Sequence, residues 1–226
     1  MKKWLMDLFS RGSLLPEAEE YLLSRGGKRE TIESLGIISW DSVPPEKSPD
    51  PVFNEKYFVE SSCRLTECIL TPYWSLKNEI IGFEARKYKI KWITDFRVSP
   101  DIDWCTFWIG SNQDSLEKLW RGGSAWIVEG LFDLFALDWV IPTSDVILVS
   151  VQARLVTKHI EYLRRFTKFV HLCMDMDKPG RDGVYKAARL LREESLQHRV
   201  VKYGPGKDPG EIWDRGGAEE LREIFL

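Results

Sequence analysis

Histidine and cysteine are scarce in this 226-residue chain, which has three of the first and four of the second. His159, His171 and His198 stand at no ligand spacing from the cysteines. Cys63 and Cys68 have four residues between them and no second pair behind. That argues against a structural zinc site and leaves Cys63, Cys68, Cys105 and Cys173 as expected reduced thiols. Long apolar runs are missing too: the best stretch, Ala125 to Ile141, is broken by Glu129, Asp133 and Asp138, which a bilayer would penalise. The basic N-terminus carries Asp7 and Arg11, leaving too short an apolar run for a signal peptide. A soluble cytoplasmic chain with no membrane partner is expected. Neither charge sign dominates: 32 basic residues face 35 acidic ones, a formal charge of −3. A histone-like or polybasic protein is excluded, though a local basic face is not.

What is present suits a folded protein, with 43% hydrophobic and 30% charged residues over a length fit for one large or two small domains. There are ten tryptophans, seven of them between Trp40 and Trp126. Packing within a small mixed domain is the expected use of most.

Residues 15–36 read as two short helices, Pro16 opening the first and Gly26-Gly27 ending it. Residues 41–51 hold four prolines (Pro44, Pro45, Pro49, Pro51) and are expected as a linker or surface loop. From about 57 to 110 the pattern turns to strands. Cys68–Tyr73 and Glu79–Phe83 flank Leu76-Lys77-Asn78 as a hairpin, and a further strand runs through Lys91-Trp92-Ile93. Beyond Gly122-Gly123, strands and helices alternate. Strands are expected at 125–128, 146–149, 168–174 and 199–203, and helices near 131–140, 153–166 and 181–194. Such alternation predicts an α/β fold with a parallel sheet of about four strands covered on both faces. The expected division is a mixed α+β domain over 1–123 and the parallel-sheet domain over 124–226.

Ligands of an open parallel sheet gather beyond the carboxyl ends of its strands. Glu129-Gly130 follows the first of these strands, with Asp133 one turn later. Asp175 and Asp177 follow the third, and Asp208 lies in the segment after the fourth. Clustered carboxylates repel one another unless a cation neutralises them, and an oxygen-only donor set favours Mg²⁺ or Mn²⁺. Helix capping by Asp175 or Asp177 is the simpler reading of that pair alone.

Glu129-Gly130-Leu131-Phe132-Asp133 followed by Asp175-Met176-Asp177 resembles the TOPRIM domain of topoisomerases, primases and some nucleases. Within that group the chain is most similar to DnaG-type primases of bacteria and phages, over roughly residues 16–213. "DMDKPGRDGVYKAARLL", "YGPGKDPGEIW", "YLLSRGGKRETIESLGI" and "TPYWSLKNEIIGFEARKYKIKW" carry the narrower likeness. The resemblance implies a DNA primase core: metal-dependent joining of NTPs into short RNA primers on single-stranded DNA. Asp175 and Asp177 would then bind metal, Asp208 would support them, Glu129 would be a ligand or proton acceptor, and Asp133 an additional ligand. Glu129, Asp175 and Asp177 would be the catalytic set. Arg86, closing the "IGF…R" segment, and Lys91 match basic positions of the family.

Alternation along a strand would put Lys87, Lys89 and Lys91 on one face, a strip able to track a template beside Tyr88 or Trp92. Arg181 at a helix start is a further candidate phosphate contact, and Arg154, Lys158 and Arg165 form a second basic stripe, expected first as a solvated helix face.

Two departures stand out. The late motif reads Asp208-Pro209-Gly210-Glu211, lacking the second acid of Asp-Pro-Asp unless Glu211 replaces it. Neither a zinc ribbon nor a helicase-docking segment is recognised, so a minimal phage or mobile-element form is expected, partnered by a replicative helicase or a separate zinc-ribbon subunit. The competing readings are a TOPRIM nuclease, using the acids to activate water, and a non-catalytic nucleic-acid-binding scaffold.

Overall fold

A computed structural model describes residues 1–43, 48–59, 62–75, 79–98, 110, 113–150, 155–203 and 208–225. Two compact units emerge. Met1–Ser24 with Arg29–Ile102 form the first, and Arg25–Lys28 with Asp103–Leu226 the second. The boundary thus precedes the expected break at 123/124.

The first unit starts with α1 (Lys2–Arg11), α2 (Pro16–Ser24) and α3 (Arg29–Leu35). β1 (Ile38–Ser39), β4 (Cys68–Trp74), β5 (Ile80–Lys87) and β6 (Ile93–Arg97) make an antiparallel sheet in that order, while β2 (Phe58–Val59) and β3 (Ser62–Cys63) pair separately. The 68–73 and 79–83 runs do pair as antiparallel neighbours. Their connecting residues 76–78 lie outside the described residues. α4 (Pro51–Tyr57) corrects the loop expectation at its last proline. Pro51 is the first helical residue, where its missing N–H is no loss, and the Asp50 carboxylate accepts from the N–H of Val52 at 2.8 Å. Phe53 of α4 centres an aromatic core with Trp4, Trp40, Tyr57, Phe83 and Phe96.

The second unit is the expected α/β layer structure. It comprises α5 (Gln113–Trp120), β7 (Ala125–Val128), α6 (Leu131–Leu137), β8 (Val146–Val149), α7 (Thr157–Leu163), β9 (Phe169–Leu172), α8 (Lys178–Glu193), β10 (Gln197–Val200) and α9 (Pro209–Phe225), the last kinked at Gly217. All neighbouring strands are parallel, in the order β10-β9-β7-β8. Side chains at 125, 127, 146, 148, 170 and 172 pack with Leu119 of α5, Ile160 and Leu163 of α7, and Val184, Ala187 and Leu191 of α8. On the opposite face Trp126 stacks on His171 at 3.9 Å between ring centroids and meets Phe225 of α9. Burial on both faces explains why β7 and β8 are continuously apolar, whereas β9 and the edge strand β10 carry His171, Gln197, His198 and Arg199 at less buried positions.

Part of the tryptophan surplus finds its use in this unit. Trp139 stacks on Trp213 and donates from Nε1 to the Gly26 carbonyl at 2.7 Å. Gly26 has φ +89°, and a Cβ there would sit 2.8 Å from the Trp213 ring, so only glycine fits. Trp120, in contrast, is exposed. No helix of the described residues is long and apolar enough to cross a membrane.

Candidate functional site

Strand order places the site. The chain leaves β7 toward β8 on one side and returns to β9 on the other, so β7 and β9 are the pair between which the crossover direction reverses. At such a switch point the loops after the two strands part and leave a crevice. Glu129 follows β7 and Asp175-Met176-Asp177 follows β9. Glu129 Oε1 accepts the backbone N–H of Asp175 at 3.0 Å, joining the two strand ends directly. Both carboxylates are half-buried.

Asp177 is the N-cap of α8, accepting from the Gly180 N–H at 2.9 Å. The simpler reading of the pair is thus true of Asp177. It caps a helix and stands in the crevice at once. Gly180 is required there: a Cβ would fall 2.1 Å from the Asp175 carbonyl oxygen. Arg181 donates from Nη1 to the Met176 carbonyl, so this guanidinium braces the loop between the two acids.

Asp133 is set deeper than the other acids. It is buried, its Oδ2 accepts from the Gly130 N–H at 3.0 Å, and its Oδ1 accepts from the Gly210 N–H at 3.0 Å. One side chain thereby ties the start of α6 to the start of α9. Asp208 accepts the Glu211 N–H at 2.7 Å and starts α9. Burial, then the charge of Asp208, pushes the Asp133 carboxyl up to about 8, against the two N–H donors that favour its charged form. Gly210 occupies the position of the missing second acid. Its Cβ would lie 3.2 Å from Asp133 and 3.4 Å from Asp208. A third carboxylate there would crowd two others, and glycine instead supplies the N–H that Asp133 needs. Sequence spacing does not reveal this bond, because it joins residues 77 positions apart.

A raised carboxyl has a definite sign in stability. The native pKa near 8 exceeds the ordinary 3.8, so the native state holds a proton that the unfolded chain releases. This contribution is full below about pH 4 and is lost as pH rises through about 8. The stability of the wild type minus that of Asp133→Asn should therefore shrink between about pH 5 and about pH 8.5 in urea unfolding without divalent ions. A difference that is flat or grows over that range contradicts the assignment.

Of the expected metal ligands, Glu129 is hydrogen-bonded to the Asp175 backbone, and Asp133 feels the charges of Asp208 and Asp175. Among the described residues, no three of the carboxylate, imidazole or thiolate side chains converge as a ready ion cage. Glu129, Asp133, Asp177 and Asp208 each direct an oxygen at a backbone N–H. By donor chemistry the all-carboxylate set suits a hard divalent ion.

The basic strip of the first unit differs from expectation. β5 ends at Lys87 and β6 begins at Ile93, so residues 88–91 form the tip of a hairpin closed by the Lys87 N–H on the Trp92 carbonyl at 3.0 Å. Lys87, Lys89 and Lys91 therefore do not share a strand face. Lys89 pairs with Glu67 at 2.7 Å and Glu17 at 3.6 Å, and half-buried Arg86 pairs with Glu84 at 3.4 Å. Of the second stripe, Lys158 lies on α7. α7 stops at Leu163 before Arg165, and Arg154 lies outside the described residues.

Residues 126–213 match the family model described as Toprim-like. The chain is 30% identical to the DNA primase of Treponema pallidum over 230 residues, covering 91% of this chain and 36% of that protein. To the DNA primase of Aquifex aeolicus it is 28% identical over 244 residues, covering 96% of this chain and 46% of that protein. It thus spans less than half the length of these two relatives. Among solved structures, a DnaG primase catalytic domain bound to ssDNA superposes with a TM-score of 0.76 at 20% identity, over 99% of this chain and 77% of that one. The zinc-binding and RNA polymerase domains of the Aquifex aeolicus primase give 0.74 at 21% identity, over 98% and 59%. These likenesses establish the shared fold.

Proposed function

We propose that this chain, a Toprim-bearing relative of the DnaG-type DNA primases, is a catalytic core that joins NTPs into short RNA primers on a single-stranded DNA template. One observation carries the reading: at the switch point of a parallel sheet, Glu129 bonds the backbone of Asp175, joining the EG and DMD segments into one acidic crevice. Relatives named DNA primase, aligned over nearly the whole chain, support the reaction class.

In this reading Glu129, Asp175 and Asp177 hold a divalent ion, Mg²⁺ or Mn²⁺, with Asp208 alongside. Such an ion, when bound, lowers the pKa of a primer 3′-hydroxyl and offsets charge growing on the triphosphate. The chain's own groups orient the reactants. Glu129 fixes the Asp175 backbone and stands ready to accept a proton, and Asp177 anchors the loop to α8. Arg181, at the exposed start of α8, meets the incoming phosphates. Asp133 is assigned to positioning, through Gly130 and Gly210, rather than to ion binding. Arg86, Lys87, Lys89 and Lys91 retain a template role only as a hairpin-tip cluster partly neutralised by Glu84, Glu67 and Glu17. Replication in the cytoplasm, beside a helicase and a zinc-ribbon module, is the proposed setting.

The test is ribonucleotide incorporation on single-stranded DNA with Mg²⁺ or Mn²⁺, run beside a cleavage assay and with a zinc-ribbon module added in one arm. Short oligoribonucleotides are expected, and metal-dependent cleavage without synthesis in either arm would replace the primase reading by a nuclease.

A further inference from the structure

The outer face of α8 is sorted by charge. At 3.6 residues per turn, Lys178, Arg181, Tyr185, Arg189 and Arg192 fall within an arc of about 80°, spaced 3, 4, 4 and 3 residues apart. All five are exposed. The acids of this face, Asp182 and Glu193, lie on its other edge beside Lys186. The opposite side of the helix, with Gly180, Val184, Ala187 and Leu191, is buried against the sheet. Tyr185 is 74% exposed, the most exposed large side chain of its kind among the described residues. A single exposed ring is ordinary on a surface, but set in a cationic row it puts a stacking face beside charges that can meet phosphates. Arg189 reaches Glu193 at 3.5 Å, an exposed pair that adds little in water and leaves the guanidinium accessible.

We infer that this edge of α8 is a docking track for single-stranded DNA. Cations along a line neutralise successive phosphates, and an exposed aromatic among them stacks a base. That combination fits a nucleic-acid strand better than an acidic peptide, which offers charge but no base. The track is about 21 Å long and starts at Lys178, the residue after the carboxylate Asp177, so a strand lying on it leads to the crevice. It also differs from the 86–91 segment, where acids pair with Arg86 and Lys89. Only the naming of the strand as template rests on the proposed function.

The measurement is fluorescence anisotropy of a labelled oligothymidylate bound to the whole chain, without metal or nucleotides, so that binding is read apart from synthesis. Tyr185→Ala should weaken binding about tenfold, while Tyr185→Phe, which keeps the ring, should not. Arg189→Ala combined with Arg192→Ala should lower the slope of log K against log salt by about 1.4, and Lys186→Ala on the acidic edge should leave it unchanged. These are surface changes, and thermal melts confirm that each variant is folded. Unchanged affinity and slope in the Tyr185 and arginine variants would overturn the track, even if the wild type makes primers. So would polyglutamate displacing the DNA with Tyr185→Ala indistinguishable from wild type, which would mark a purely ionic surface. Track-dependent binding by a chain that makes no primers would support the track and count against the primase reading instead.

Discussion

Glu129→Gln and Asp175→Asn should each reduce the proposed primer synthesis about a thousandfold while leaving the protein folded. Both replacements keep the side chain's shape. The amide that replaces the Glu129 carboxylate retains a carbonyl oxygen able to accept the Asp175 N–H, the bond that joins the two strand ends at 3.0 Å in the wild type. What each variant removes is one negative charge from the crevice. Charge aimed at the reacting groups is commonly the largest single contribution to catalysis, and loss of one such group lowers rates by about 10²–10³. In the proposed metal site, loss of an anchor for the cation would act further by displacing both reactants. Melting temperatures within about 3 °C of the wild type, a stability change below roughly 1 kcal/mol, are expected alongside lost incorporation. Variants that synthesise at wild-type rates would remove these two acids from the chemistry.

Much of this site is legible in the sequence because its logic is local. Continuous apolar runs mark β7 and β8 to the residue, since strands buried on both faces leave no room for polar alternation. Acids directly after such runs land on one sheet edge whatever the helices do between. Elsewhere the local signal is ambiguous. α4 hides because Pro51 reads as a breaker, and only the Asp50 cap turns it into a helix start. The 88–91 segment alternates like a strand, yet the pairing of Arg86 with Ile93 makes it a turn. β10 begins at Gln197 rather than Arg199, because its parallel register with β9 pairs Gln197 with Phe169. Asp133 is the instructive case. Its spacing from Glu129 suggests a ligand, but its oxygens are drawn to Gly130 and Gly210, and the latter partner is set by tertiary structure alone.

Gly180→Ala should lower synthesis about a hundredfold and stability as well, by a route that charge alone does not suggest. The added methyl would lie 2.1 Å from the Asp175 carbonyl oxygen and 2.8 Å from the Asp175 Cβ. Those atoms belong to the loop between β9 and α8, and neither side yields easily. The loop is held by Glu129 through the Asp175 N–H and by Arg181 through the Met176 carbonyl. The helix is fixed by Val184, Ala187 and Leu191 in the core. Overpacking of this kind costs about 1–3 kcal/mol, and displacing reacting groups by about 1 Å lowers rates roughly a hundredfold. Gly180→Ala should thus lose both stability and synthesis, where Asp175→Asn loses synthesis alone. Urea unfolding with incorporation assays on the two variants separates the effects. Wild-type stability and activity in Gly180→Ala would mean that the loop shifts freely, and would leave the glycine at that place without a steric reason.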